Sequence, residues 1–215
     1  MNRIKLAVVD DQQLFRKGLI SLLKEFDDME VITEASNGYE FTEQLKIKRP
    51  DVVLLDYQMP IMNGMETVKF VKQKYPDIKV IILTMFTDQG IILELIKKGT
   101  NGFLMKGADI DIVSDAIHDA YTKGYYFNDH FNNLMLKDYS EELEEMSQFR
   151  VPDLSIREIE IIQLICKQYT NKEIAEKLFI STRTVDGHRD KILKKTNAKN
   201  VVGIMLYAIK NNLLD

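Results

Sequence analysis

Residues 51–64 read "DVVLLDYQMPIMNG". Four apolar residues, Val52 to Leu55, run without a polar break, end on Asp56, and pass into a loop with Pro60 and Gly64. A short continuous apolar run fits a strand covered on both faces, as in a parallel sheet, whereas a half-exposed strand would alternate. A carboxylate at the end of a buried strand needs a compensating partner, because uncompensated charge beside a core is costly.

Working outward, the same grammar repeats. Strand-like runs at 4–10, 29–35, 51–56, 79–84 and 102–106 alternate with helical spacing at 12–26, 39–48, 65–75, 89–99 and 110–124. In the first helix the apolar stripe is Leu14, Phe15, Leu19, Leu22, Leu23 and Phe26. Five strand–helix units predict an α/β fold with a five-stranded parallel sheet covered on both sides. Such sheets bind ligands just outside the carboxyl ends of their strands. Asp10 and Asp11 end the first strand, Asp56 the third, Thr84 the fourth and Lys106 the fifth.

Three carboxylates brought to one edge repel one another unless a cation joins them. Hard oxygen donors of this kind suit Mg²⁺, which keeps several waters and commonly meets a phosphate. Lys106 supplies a point charge for phosphate oxygens and Thr84 a hydroxyl. A carboxylate can itself take a phosphoryl group as an aspartyl phosphate, and Asp56, on the middle strand, is best placed to do so. One Asp at a strand end is ordinarily a helix cap. The joint pattern of three acids, Thr and Lys on successive strands is not explained that way.

The chain then changes character. Residues 125–150 are polar with scattered aromatics and an acidic cluster, and read as a connector. From 151 on, strand signals vanish. Ser155 with Glu158, and Thr170 with Glu173, are capping boxes, while Ser181 and Asn200 are the expected caps of two further helices. The expected domains are 1–124, the connector 125–150, and a small all-α domain at 151–215. Residues 1–149 hold 17 Lys and Arg against 25 Asp and Glu, whereas residues 150–215 hold 12 against 8. An acidic body with a basic helical end suggests different partners, nucleic acid among them. Arg183, Arg189, Lys191, Lys194 and Lys195 crowd the helix after Ser181, where phosphate contact is expected.

Asp10, Asp11, Asp56 with Pro60 and Gly64 behind it, Thr84 and Lys106 resemble the flavodoxin-like receiver domain of two-component response regulators. The resemblance covers residues 1 to about 124. It implies that Asp56 accepts phosphate from a sensor histidine kinase. It implies that Asp11, Asp56 and the Gln58 carbonyl bind Mg²⁺ directly, with Asp10 acting through water. Thr84 and Phe103 match the family's switch pair, in which the hydroxyl turns to the phosphate and the aromatic ring moves inward. Gly107 stands where many receivers place a cis proline after the lysine.

Residues 154–214 resemble the LuxR-type helix-turn-helix domain through Leu154, Arg157, Glu158, Asn171, Lys172, Glu173, Ile174, Ala175, Leu178, Ile180, Ser181, Thr184, Val185 and His188. Both domains together resemble the NarL/FixJ class of regulators. The resemblance implies double-stranded DNA as a partner, a homodimer on phosphorylation, and a last helix, with Val202, Met205, Leu206 and Ile209 on one stripe, that can pair two copies. Thr184, Asp186 and His188 join the five basic residues as expected DNA contacts. Asp186, Gly187 and Asp190 stand where members of the family often carry Lys or another base-reading residue. Asp186 has two open roles, acceptance from a cytosine amino group or an i,i+3 pair with Arg189.

The rest of the chain bounds these readings. Cys166 is the only cysteine, so no disulfide closes within the chain. No run approaches the roughly 18 apolar residues of a membrane helix, and the first segment is too short in apolar residues for a signal peptide. A cytoplasmic regulator, not an enzyme, is expected. A protein-binding adaptor and an aspartyl-phosphate hydrolase are the competing readings. Such hydrolases carry nucleophile and acid two residues apart on one strand, and "VVDDQ" does not. His118, His130 and His188 are too scattered for a metal site, and Cys166 reads as core.

Overall fold

The computed structural model describes residues 3–85, 89–126, 154–211 and 213–214. The expected connector lies outside the described residues from 127 on, as does His130. The chain divides into two compact units, Met1–Tyr126 and Phe127–Asp215.

The first unit alternates strands and helices: β1 Ile4–Val9, α1 Gln13–Leu23, β2 Met29–Ala35, α2 Gly38–Gln44, β3 Val52–Asp56, α3 Gly64–Lys74, β4 Lys79–Thr84, α4 Gln89–Lys98, β5 Gly102–Met105 and α5 Ile110–Thr122. All pairings are parallel, in the order β2-β1-β3-β4-β5. The apolar run that opened the reading is the central strand, and every residue of β3 is buried. Its neighbours are equally apolar: Leu6, Val8, Ile81 and Leu83 pack in one cluster with Val52 and Leu54. Each such side chain contributes roughly 1.5–3 kcal/mol by leaving water, which leaves the strand no freedom to slip and so fixes where Asp56 emerges.

The helix stripes are narrower than the sequence suggests. In α1, Leu19 and Leu23 are buried, but Leu14 is 89% exposed and Leu22 44%. Asn63 caps α3 in a reciprocal box with Glu66. At the far end of the sheet Asn101 accepts from Val80 N and donates to the Gly124 carbonyl, and Tyr126 N donates to the Asn101 carbonyl. Tyr125 and Tyr126, read as the start of the connector, are thereby held on the first unit.

The second unit comprises α6 Ile156–Cys166, α7 Asn171–Leu178, α8 Thr182–Thr196 and α9 Val201–Lys210 among the described residues. The expected capping boxes at Ser155 and Thr170 are formed, Ser181 accepts from Thr184 N, and Asn200 accepts from Gly203 N. Phe179 closes α7 in the left-handed region at φ 55° and turns the chain into α8. Ile161, Ile162, Ile165, Ile174, Val185, Ile192, Val202 and Ile204 form its core. On the last helix Val202 is buried and Met205 half-buried, while the side chains of Leu206 and Ile209 are outside the described set. Cys166 is half-buried, and burial pushes its thiol up to about 11, which suits packing and not reactivity.

Candidate functional site

Strand ends build the site in the first unit. β1 ends at Val9, so Asp10 and Asp11 leave the sheet together; β3 brings Asp56 beside Leu83, and β4 brings Thr84 beside Met105. Asp10 is fully buried, Asp56 and Thr84 are buried, and Asp11 is exposed. One carboxylate oxygen from each of Asp10, Asp11 and Asp56 lies within 4.8 Å of the others. Into this cluster Lys106 projects its ammonium, 2.8 Å from Asp10 Oδ2 and 2.9 Å from Asp56 Oδ2. The same ammonium sits 5.1 Å from the centre of the Phe15 ring.

Backbone groups hold the acids in place. Gln12 N donates to Asp10 Oδ1 at 2.8 Å, and Gln58 N to Asp56 Oδ1 at 3.3 Å. Arg16 donates to the Asp10 carbonyl and, through Nε, to Glu34 at 3.2 Å. Lys106 N bonds the Thr84 carbonyl at 3.0 Å, which sets the height of the lysine. No cis peptide occurs among the described residues, so the bond at Gly107 is trans. Gly64 is required by close approach. A Cβ there would stand 2.7 Å from Asp56 O and 2.7 Å from Tyr57 Cα.

The electrostatics follow from crowding. Burial pushes the Asp56 carboxyl above the usual range; Lys106 opposes this, and the nearby Asp10 adds to it. For Lys106, burial works against the charge, but the hydrogen bonds to Asp10 and Asp56 outweigh it and hold the amine above its ordinary value. The three acids fit a hard divalent cation by donor type and spacing. Asp11, Gln12, Asp56, Tyr57, Gln58, Thr84, Met85 and Lys106 line a cleft of about 230 Å³, open to a small anion. A groove of about 570 Å³ near α1, β2 and α2 is larger but contains none of these acids, so size alone does not mark the site.

Thr84 also borders an apolar pocket behind the cleft, shared with Phe103, Tyr57, Ile82, Ile91, Ile92 and Leu95. The Phe103 ring is fully buried there and occupies an inward position.

In the second unit the structure sorts the expected DNA contacts into two groups. Arg183, Lys191 and Lys194 are exposed along α8. The others, His188 apart, are engaged within the unit. Lys195 Nζ lies 2.8 Å from Glu158, whose side chain is only 3% exposed, and ties α8 to α6. Burial would raise the Glu158 carboxyl, but Lys195 and Ser155 hold it below the usual range. The Thr184 hydroxyl sits 2.8 Å from Ser181 Oγ within the helix cap. His188 is half-buried, and its Nδ1 has no hydrogen-bond partner among the described residues. Asp186 and Arg189 meet through a third residue. Asn171 Nδ2 donates to Asp186 Oδ1 at 2.6 Å, and Arg189 donates to Asn171 Oδ1. This linkage between α7 and α8 replaces the direct i,i+3 pair that the spacing suggested. Asn171 matched a motif, but its bridging role spans 15 residues and leaves no local signal.

Comparison with known proteins agrees with both units. Residues 6–118 match the family described as the response regulator receiver domain. Residues 152–208 match the family described as bacterial regulatory proteins, luxR family. The chain is 32% identical over 223 residues to the transcriptional regulatory protein DegU of Brevibacillus brevis, covering 98% of this chain and 94% of that one. It is 33% identical to the oxygen regulatory protein NreC of Staphylococcus carnosus (strain TM300), covering 99% and 100%. Among solved structures, the response regulator ChrA of a heme-sensing two-component system is 29% identical, with a TM-score of 0.51, over 99% of this chain and 100% of that one.

Proposed function

The chain belongs to the response regulators that join a receiver domain to a LuxR-type helix-turn-helix domain, and from that premise we propose that Asp56 is its phosphoacceptor. As a member it is a transcription-regulating two-component protein of a non-enzyme family. The receiver implies a histidine kinase as phosphoryl source, and the helix-turn-helix implies DNA as target.

The observation that carries the reading is the Lys106 ammonium held between Asp10 and Asp56 at 2.8 and 2.9 Å. Asp56 ends the central strand of the sheet, lines the open cleft, and already faces the cation that a phosphoryl group needs. Its Oδ attacks the phosphorus of the donor, the bond from phosphorus to the donor atom breaks, and the donor leaves with its electron pair. The product is an acyl phosphate on Asp56. Lys106 then pairs with a phosphoryl oxygen in place of a carboxylate, and the Thr84 hydroxyl is a hydrogen-bond donor beside it. Asp11, Asp56 and the Gln58 carbonyl would hold Mg²⁺, with Asp10 beside them. When bound, it supplies charge neutralisation between these carboxylates and the phosphoryl oxygens.

Thr84 and Phe103 border one apolar pocket, so a hydroxyl drawn toward phosphate changes the wall against which the ring packs. We take this as the switch between phosphorylation and the surface formed by α4 and β5. The output is a homodimer that reads paired half-sites through α8, in the cytoplasm. In this reading the receiver is residues 1–124 together with Tyr125 and Tyr126, which are held on the same unit; the rest of 125–150 is the connector and 151–215 the DNA-binding domain.

The test compares retention on selected DNA for the chain treated with a small phosphodonor and Mg²⁺ and for Asp56→Asn treated identically. Retention and dimerisation that rise on treatment only in the wild type are expected. An equal response in Asp56→Asn would remove Asp56 from the role.

A further inference from the structure

We infer that Gly187 and Asp190 form the specificity element of α8: a gap that lets the helix approach a base pair closely, and a short carboxylate that accepts from the amino group exposed there, as cytosine N4 presents it in the major groove. The inference rests on the DNA-binding reading above and deepens it.

Burial along α8 defines which face is free. Val185 and Ile192 are buried, and Arg189 and Thr196 are half-buried against the unit. The opposite stripe, at i, i+4, i+7 and i+11, is Arg183, Gly187, Asp190 and Lys194, and all four are exposed. Two cations flank a glycine and an acid at the middle of the face. The cations suit phosphates on either side of a groove, so the middle pair faces what lies between them.

Gly187 has no packing reason to be glycine. A Cβ at this position meets nothing within 4 Å, and its backbone is not in the positive-φ region. Glycine inside a helix destabilises it relative to alanine. A residue that weakens its own helix, with open space where a side chain would fit, is explained by a partner that approaches the backbone. DNA bound on this face supplies that partner.

The two acids differ in availability. Asp186 already accepts a hydrogen bond from Asn171, which in turn accepts from Arg189. Its role is to position those residues between α7 and α8. Among the described residues nothing pairs with Asp190. An unpaired carboxylate on a phosphate-seeking face lowers affinity for every sequence, unless one base pair offers it a donor. Cytosine N4 is the donor that carboxylates read in the major groove. An aspartate is short and reaches a base edge only if the helix backbone lies close. The missing side chain at 187, almost one turn earlier on the same stripe, provides that closeness. The two features therefore require each other.

The test uses the full chain, phosphorylated with a small donor, and a duplex chosen by selection from random DNA. Wild type, Asp190→Ala, Asp186→Ala and Gly187→Ala are titrated against this duplex and every single-base-pair variant of it. Asp190→Ala should lose preference at one C·G pair by on the order of 5- to 150-fold while keeping its preferences elsewhere. Asp186→Ala should keep the preference at that pair. Gly187→Ala should bind the chosen duplex on the order of 5- to 150-fold more weakly, as an added methyl overpacks a close contact, with a thermal midpoint no lower than the wild type. If Asp190→Ala instead binds every duplex more tightly by one common factor, Asp190 only repels phosphate and the inference is overturned. Unchanged affinity in Gly187→Ala overturns the gap. Selection that enriches no sequence with the wild type would remove the DNA-binding reading itself, and the specificity element with it.

Discussion

Gly64→Ala perturbs the loop that carries Asp56 without touching any titratable group. The new Cβ would stand 2.7 Å from Asp56 O, 2.7 Å from Tyr57 Cα and 3.0 Å from Tyr57 O, where ordinary contacts begin at 3.4 Å. All three are backbone atoms, so no side-chain rotation relieves the overlap. Gly64 also donates its N–H to the Tyr57 carbonyl at 2.9 Å and opens α3, so the helix and the loop must separate together. Overpacking of this kind costs about 1–3 kcal/mol, and the gain in helix propensity returns at most about 1 kcal/mol. The net is a destabilisation of up to about 3 kcal/mol, in the upper part of that range because all three overlaps are with backbone, and each kcal/mol lowers the midpoint by roughly 2–8 °C. Gly107→Ala is the matched control. It lies beside Lys106, yet a Cβ there meets nothing within 4 Å and the backbone is not in the positive-φ region, so its effect should stay within about 0.5 kcal/mol. The assay is paired urea and thermal unfolding, followed by the rate of phosphoryl uptake, which should slow in Gly64→Ala only. Equal midpoints for the two variants would show that the loop yields freely, and the argument from close approach would be wrong.

Other outcomes follow from single contacts. Lys106→Met removes the cation shared by Asp10 and Asp56, so Mg²⁺ affinity, read by titration, should rise or hold while phosphate-dependent dimerisation is lost; full activation would contradict the role. His118 lies 2.6 Å from Asp28, and although burial lowers its pKa, bonds to Asp28 and the Ser114 carbonyl raise it overall. A raised folded pKa binds the proton more tightly than the unfolded chain does. That stabilisation is therefore full below the unfolded His value near 6.5 and is lost as pH rises through the higher folded value; His118→Gln should flatten this window in urea titrations. Lys195→Met leaves the buried Glu158 without its cation and should cost about 1–3 kcal/mol in the second unit near neutral pH; because Lys195 helps hold the Glu158 carboxyl below the usual range, its loss lets the folded pKa rise toward the unfolded value, and the loss of stability at low pH should shrink. An unchanged unfolding curve would show that Ser155 alone satisfies Glu158.

Much of this was legible because it is local. Run length placed β2 and β4 at their observed bounds, and the capping residues Thr170 and Ser181 placed the starts of α7 and α8, since apolar runs and caps are short-range signals. The strand-end acids followed from topology, because a parallel sheet brings every carboxyl end to one edge. The pairings across helices were not legible. Lys195 belongs by composition to a basic patch, yet it closes on Glu158, 37 positions earlier. Asp186 and Arg189 are three apart and still meet only through Asn171. Leu14 and Leu22 share a helical stripe with buried neighbours, but the sheet covers less of α1 than the stripe allows.

The central claim is that one carboxylate, Asp56, takes the phosphoryl group. The direct measurement is to phosphorylate the full chain with a small donor, reduce the acyl phosphate with borohydride to the alcohol, and locate the product by peptide mass spectrometry. Homoserine at position 56, with Asp10 and Asp11 unaltered, is the expected result. Reduction at Asp10 or Asp11, or none at any of the three under conditions that induce dimerisation, would contradict it.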